Sequence, residues 1–313
     1  MTQPRRHIAG QVVHLVRRCF QRRFLLRPDA FINRVIAYEV ARASERHGQA
    51  IYGVMAMSNH IHQISADTTG ERSGYMRDAM REISRARNYN LKRRDSLWDG
   101  RPFGDTVLLD RDAIERQLVY LWTNPVAAGL VKRVKDWPGF KILPRHWGKT
   151  LWVRRPRGYH GRKSPEYVKI TPLPPPGYEE MTLSEVRRHF ERLIREAEEK
   201  IHGERKGKRI IGKERVCGTD PFSCPRDLGK DRGGASPRFA SKNRVLRERA
   251  EGRHQGFQDS YQRQRLKWRN GGRSSGSVRF PCGTVQLRKR APIRCDPPDE
   301  DEPGLFVVRS LGA

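Results

Sequence analysis

No long apolar run occurs anywhere in this sequence. Its mean hydropathy is −0.82, and no stretch approaches the roughly 20 consecutive apolar residues a bilayer-crossing helix needs. A membrane partner is therefore not expected. The opening residues, Met1-Thr2-Gln3-Pro4-Arg5-Arg6-His7, lead into a mixed segment without the apolar core of a secretory signal. Cysteine is scarce, with five in 313 residues. Cys217 and Cys224 lie too far apart for a Cys-x-x-Cys knuckle, and so do Cys282 and Cys295. An odd, scattered set argues against a disulfide framework and a structural zinc site, and for a reducing compartment. Acidic residues are heavily outnumbered, 35 Asp and Glu against 64 Lys and Arg, for a formal net charge of +29. That excess is the electrostatic footprint of a protein that meets a polyanion, foremost nucleic acid. The length exceeds one typical domain and falls short of three.

What is present begins with periodicity. Gly10 to Arg18, carrying Val12, Val13, Leu15 and Val16, reads as a strand rich in β-branched residues. Asp29 offers an N-cap to a helix whose apolar residues Ile32, Val35, Ile36, Val40 and Ala43 recur until Gly48, a C′ glycine. Ala50 to Met57 and His60 to Ala66 are two further strands joined by Ser58-Asn59 as a hairpin. A second helix carries Met76, Ala79, Met80, Ile83 and Ala86, with arginines spread over its remaining surface. After a loop rich in aromatic and turn residues, Trp98 to Gly104, Thr106 to Leu109 forms a fourth strand. The order β-α-β-β-α-β predicts an α+β, ferredoxin-like four-stranded antiparallel sheet with two helices on one face and the other face open. A third helix, capped by Asp110 or Asp112, is expected to end at Asn124 because Pro125 disfavours helical backbone there.

Two constellations carry chemistry. His60 and His62 are separated by one residue, so on a strand both side chains point to the same face. Neutral imidazoles are good ligands for divalent metals, and such a pair supplies half of a coordination shell. On the third helix Ile114, Leu118, Leu121 and Trp122 form the apolar face, while Tyr120 lies roughly opposite and Asn124 follows it at i+4. Read without context, the histidines could equally be a solvated strand face and Tyr120 a boundary tyrosine. Likewise Arg72, Arg77, Arg81, Arg85 and Arg87 of the second helix could bind phosphate or merely be solvated, and Tyr75, Tyr89, Trp98 and Phe103 could stack bases or pack in a core.

The His-Ile-His strand followed by Tyr120-Leu-Trp-Thr-Asn124-Pro125-Val126-Ala-Ala-Gly129-Leu130 resembles the HUH single-tyrosine transposases, particularly the REP-associated kind. That family has a hydrophobic residue between its two histidines, as Ile61 is here, and a tyrosine four positions before an Asn-Pro-Val segment. Trp137-Pro138 resembles a pair that often follows. The resemblance covers about residues 8 to 145. It implies a catalytic domain over 8–148 in which Tyr120 cleaves single-stranded DNA, leaving a 5′-phosphotyrosine and a free 3′-hydroxyl that serve strand transfer. It further implies Mg²⁺ or Mn²⁺ held by His60, His62 and a side chain one turn after the tyrosine, here Asn124 where many relatives have Gln. Arg77, Arg81, Arg85, Trp98 and Arg101 are the expected DNA contacts. The expected partner is single-stranded DNA, hairpin ends included, met by a monomer or homodimer in a bacterial cytoplasm, at the nucleoid. The rival reading is a noncatalytic nucleic-acid-binding protein derived from a transposase.

Residues 149–313 form a basic extension. Arg154 to Gly158 and Pro172 to Gly177 read as an extended linker, Thr182 and Glu185 as a capping box opening a helix to Ile201, and 203–240 as disordered. A basic helix is expected around Asn243 to Trp268. Residues 1–150 are expected to fold alone.

Overall fold

The computed structural model describes residues 4–158, 164–225, 237–272, 278–299 and 301–306. It is a mixed α+β structure. Strand β1 (Gln11–Arg18) is followed by helix α1 (Ala30–His47), strands β2 (Gln49–Ala56) and β3 (His60–Asp67), helix α2 (Arg72–Asn90), strand β4 (Gly104–Leu108) and helix α3 (Arg111–Ala127). The local signals act as read. Asp29 accepts the backbone N–H of Ile32 at 2.8 Å, Asp110 accepts that of Ala113 at 2.7 Å, and Gly48 ends α1 in the left-handed conformation at φ 57°.

Beyond α3 the chain adds strands β5 (Lys141–Ile142), β6 (Leu151–Arg154) and β7 (Tyr167–Ile170), helices α4 (Leu183–Arg205) and α5 (Lys213–Gly218), strand β8 (Phe239–Ala240) and helix α6 (Arg244–Lys267). The main sheet has six strands in the order β5-β2-β3-β1-β4-β8. Its middle four are antiparallel, and β8 pairs parallel to β4. The four-strand expectation therefore describes only the middle of the sheet, because short segments from later in the chain pair with both of its edges.

One sheet face is covered by α1 and α2, around Val13, Leu15, Ile61, Ile36 and Ile83. The other face is not open, contrary to expectation. Helix α3 lies on it, with Leu118, Leu121 and Trp122 packed among Val12, Met55 and Ile64. Gly53 makes this approach possible, since a Cβ there would come within 2.9 Å of the Leu118 side chain and 3.2 Å of Trp122. Trp122 also donates its indole N–H to the Ile142 carbonyl at 2.7 Å, which fixes the roll of α3 about its axis. The helix runs through Pro125 to Ala127. A proline so near the end removes one intrahelical N–H, and the turn is held by Ala128 N–H donating to the Asn124 carbonyl at 2.9 Å.

Helix α4 backs α3. Its capping box forms as read, with Thr182 and Glu185 reciprocally bonded. Phe190 is fully buried, edge-on to Trp122 and Trp147 at 5.9 and 5.2 Å between ring centroids. Residues from both sides of the expected boundary at 148/149 thus share one apolar cluster. Phe190→Ala is expected to destabilise the whole fold by about 3–5 kcal/mol, read as a lowered urea midpoint in a single transition. A separate early transition with the main one unmoved would show instead that α4 is a dispensable attachment.

The extension holds more regular structure than expected. Between and beside the two linker segments lie β6 and β7, an antiparallel pair packed on α1 that is not among the expected elements; only Arg154 of the linker falls in a strand. Part of 203–240 holds α5 and β8, and Ile211 and Gly212 donate to the Gly129 and Leu130 carbonyls at 2.9 and 3.0 Å. Residues 226–236 lie outside the described residues. Helix α6 spans the expected range.

Candidate active site

The site lies where α3 crosses β1 and β3. His60 and His62 share the α3 face of β3, with ring centroids 4.6 Å apart. A third histidine joins them. β1 pairs with β3 so that Val16 faces His62 and His14 faces Ile64, which puts His14 on the same face and diagonal to His62. The His14 and His62 rings are 5.1 Å apart. Across from them α3 presents Gln117, Tyr120 and Asn124, at i, i+3 and i+7 on one flank. Tyr120 sits edge-on to His62 at 5.9 Å and to His14 at 6.4 Å, and is 53% exposed, so its ring is flanked by imidazoles while solvent reaches it.

The hydrogen bonds select one tautomer for each imidazole. With the Gln117 amide presenting its oxygen, His14 Nδ1–H donates to Oε1 at 3.1 Å. A neutral His14 then has a bare Nε2, so His62 Nδ1–H donates to it at 2.9 Å. His62 Nε2 is left with its lone pair and receives Asn124 Nδ2 at 3.3 Å. In the same way His60 Nδ1–H donates to Asn59 Oδ1 at 2.6 Å, which frees His60 Nε2. Neutrality follows from the surroundings. Burial first, then Arg18 and His14, depress the His60 pKa to about 3. Burial, with His60 next, holds His62 well below its ordinary value. Burial brings His14 to about 4.

These shifts carry a stability prediction. His7 and His254 are also depressed, mainly by burial, to about 3 and about 4. Between the ordinary histidine pKa near 6.5 and these folded values, the unfolded chain binds more protons. Stability is therefore intact above about pH 6.5 and is lost as pH falls toward 4. The melting temperature should drop through that window. A flat profile would mean these imidazoles are solvated in the folded protein.

No protein-family profile matches the chain, and no curated protein matches it. It is similar to a solved structure of a REP-associated tyrosine transposase bound to a REP hairpin, with 21% identity and a TM-score of 0.38 over 47% of this chain and 85% of that one. A likeness of that size is distant and decides neither fold nor activity.

Among the described residues no three His, Cys, Asp or Glu side chains are grouped to hold a metal ion. The donor set here is two imidazoles and one amide. Two Nε2 lone pairs on adjacent rings, each fixed through its Nδ1–H, suit a divalent cation that keeps open positions for other ligands. As placed, Asn124 turns its amide nitrogen to His62, and coordination would require the amide to rotate and present its oxygen.

The other expected contacts fare differently. Trp98 is 6% exposed and donates its indole N–H to the Met80 carbonyl at 2.8 Å, so it is a core residue with no free face for a base. Tyr75 is buried as well, and so, contrary to their expected place on the surface of α2, are Arg72 and Arg87: their guanidiniums are held inside by Asp67 and Asp105 and by Asp29, respectively. Arg77, Arg81 and Arg85 are exposed on α2, which packs on the face away from His62 and Tyr120. They pair there with Asp78 and Glu82. Arg101 is bound to Asp99 at 2.9 Å, in a loop whose Asp99 N–H donates to the Arg18 carbonyl, beside His60. Sequence reasoning missed His14 and Gln117. The parity of His14 with Val12 and Val16 was readable, but its meeting with His62 depends on strand pairing.

Among the described residues no helix is long and apolar enough to cross a membrane.

Proposed function

We propose that this chain is a metal-dependent DNA-nicking and joining enzyme of the single-tyrosine transposase kind, built on a ferredoxin-like unit, and that Tyr120 is its nucleophile. The observation that carries this reading is the half-exposed Tyr120 ring set against two imidazoles whose Nε2 atoms carry no proton, that of His62 accepting from the Asn124 amide. The mixed sheet with its middle strands in the order β2-β3-β1-β4 agrees with it.

In the proposed reaction the Tyr120 hydroxyl attacks a backbone phosphorus of single-stranded DNA. The bond to the 3′-oxygen breaks, and its electron pair leaves as a 3′-hydroxyl after protonation. The phenolic proton passes to the solvent around the exposed ring. A phosphotyrosine ester stores the bond energy, so an incoming 3′-hydroxyl can reverse the step and join strands. His60, His62 and the rotated Asn124 amide would hold Mg²⁺ or Mn²⁺, which when bound polarises the scissile phosphate and neutralises its developing charge. His14 and Gln117 keep His62 in the coordinating tautomer, as carboxylates and carbonyls do for metal-bound histidines elsewhere. Arg18, opposite His60 in the sheet, adds positive charge where the phosphate would lie. The expected setting is a bacterial cytoplasm, as a monomer or homodimer.

The direct test is cleavage of labelled single-stranded and duplex DNA with and without a chelator. Single-strand cleavage that stops on chelation and returns with Mg²⁺ or Mn²⁺ supports the proposal. Salt-sensitive binding with no cleavage under any metal would establish the rival, a noncatalytic nucleic-acid-binding protein.

A further inference from the structure

A second surface, on the other side of the sheet, has the composition of a nucleic-acid contact. Strands β6 and β7 alternate in the antiparallel register Leu151↔Ile170, Trp152↔Lys169, Val153↔Val168 and Arg154↔Tyr167. Leu151, Val153, Val168 and Ile170 turn inward against the α1 side of the core. The outward face is thus Trp152, Arg154, Tyr167 and Lys169. Trp152 is 66% exposed and Tyr167 50%. Two large rings exposed as neighbours on one face form an apolar patch of the kind that marks an interaction surface.

Each ring has a cation beside it. Lys169 Nζ stands 6.0 Å from the centre of Trp152, and Arg154 Cζ stands 6.0 Å from that of Tyr167. The four side chains make a checkerboard in which the two rings are diagonal neighbours, roughly 7–8 Å apart at the backbone. An open depression of about 560 Å³ adjoins them, lined by Arg34 of α1 and by Trp152, Val153, Arg154, Arg155 and Arg157. Glu166 is engaged by Arg154 at 3.0 Å.

We propose that this face is a stacking platform for single-stranded DNA, remote from the face that carries Tyr120. The inference rests on the nucleic-acid reading above but not on catalysis. Flat rings take bases of any sequence, interleaved cations take the phosphates between them, and unpaired bases are needed because duplex bases have no free face. A net charge of +29 favours the same partner. A strand bound at Tyr120 reaches the platform only around the sheet, because β6 and β7 pack on α1, whereas His62 and Tyr120 lie on the opposite face.

The test uses the full chain with Tyr120→Phe, so that no strand is cut. Binding of a fluorescent single-stranded oligonucleotide, of the matching duplex, and of vesicles containing phosphatidylserine is measured with and without Trp152→Ala or Tyr167→Ala. Both rings point outward, and an unchanged thermal melt verifies the fold of each variant. Each alanine should weaken single-strand binding by about tenfold and leave the duplex nearly unaffected. Trp152→Phe should keep most of the affinity, and bromouracil photo-crosslinks should map to Trp152 or Tyr167. Unchanged single-strand affinity, an equal loss for duplex, or a ring-dependent preference for the vesicles over DNA would overturn the platform. The wild-type covalent adduct is scored separately, so loss of the platform and loss of the nuclease reading are distinguishable.

Discussion

Tyr120→Phe should bind single-stranded DNA like the wild type and cleave it slower by on the order of 10⁴-fold or more. The substitution keeps a ring edge-on to His62 and His14 and removes one hydroxyl that no described side chain needs for packing. The ring is half-exposed, so neither the α3 core of Leu118, Leu121 and Trp122 nor the imidazole chain depends on that oxygen. Loss of cleavage with retained affinity and an unchanged melt would assign the nucleophile. Cleavage at the wild-type rate would instead point to a metal-activated water beside His60 and His62, a hydrolytic nuclease and not a strand-transfer enzyme.

His60→Ala or His62→Ala should lower the cleavage rate by about 10³-fold, the several kcal/mol that charge neutralisation at a phosphate supplies. DNA affinity should hardly change, since it comes from many lysines and arginines. The metal itself provides the second readout. Calorimetric Mn²⁺ binding should vanish in both variants, whereas His14→Leu, which leaves His62 Nδ1–H without its acceptor, should weaken it by about 10–100-fold. His14→Gln, whose amide oxygen can accept that hydrogen, should recover part of the loss. Mn²⁺ affinity equal to that of the wild type in all four variants would remove the imidazoles from the metal site.

The central fold was legible because its signals are local. Asp29, Gly48 and Asp110 mark helix ends by backbone chemistry that needs no tertiary partner, and β1 through α3 follow from periods of two and 3.6. The His60–His62 pair was legible for the same reason, since alternation on one strand fixes a shared face. What escaped depends on meetings between distant segments. The closing of the second face rests on Gly53 leaving room for Trp122, a fact about contact and not about propensity. β6 and β7 flank a short basic segment, and only four residues in each carry the alternation. Trp98 reads alike in a basic loop whether its ring points in or out. Helical spacing gathers Arg77, Arg81 and Arg85 on one exposed surface, but cannot say that α2 lies across the sheet from Tyr120.

The most direct measurement is mass spectrometry of the protein after brief incubation with Mg²⁺ or Mn²⁺ and a single-stranded oligonucleotide, quenched in denaturant. A wild-type peptide containing Tyr120 that carries the downstream DNA through its 5′-phosphate, absent from Tyr120→Phe and from His62→Ala, is the predicted result. Cleaved DNA with a free 5′-phosphate and no protein-linked product at any time would contradict the account.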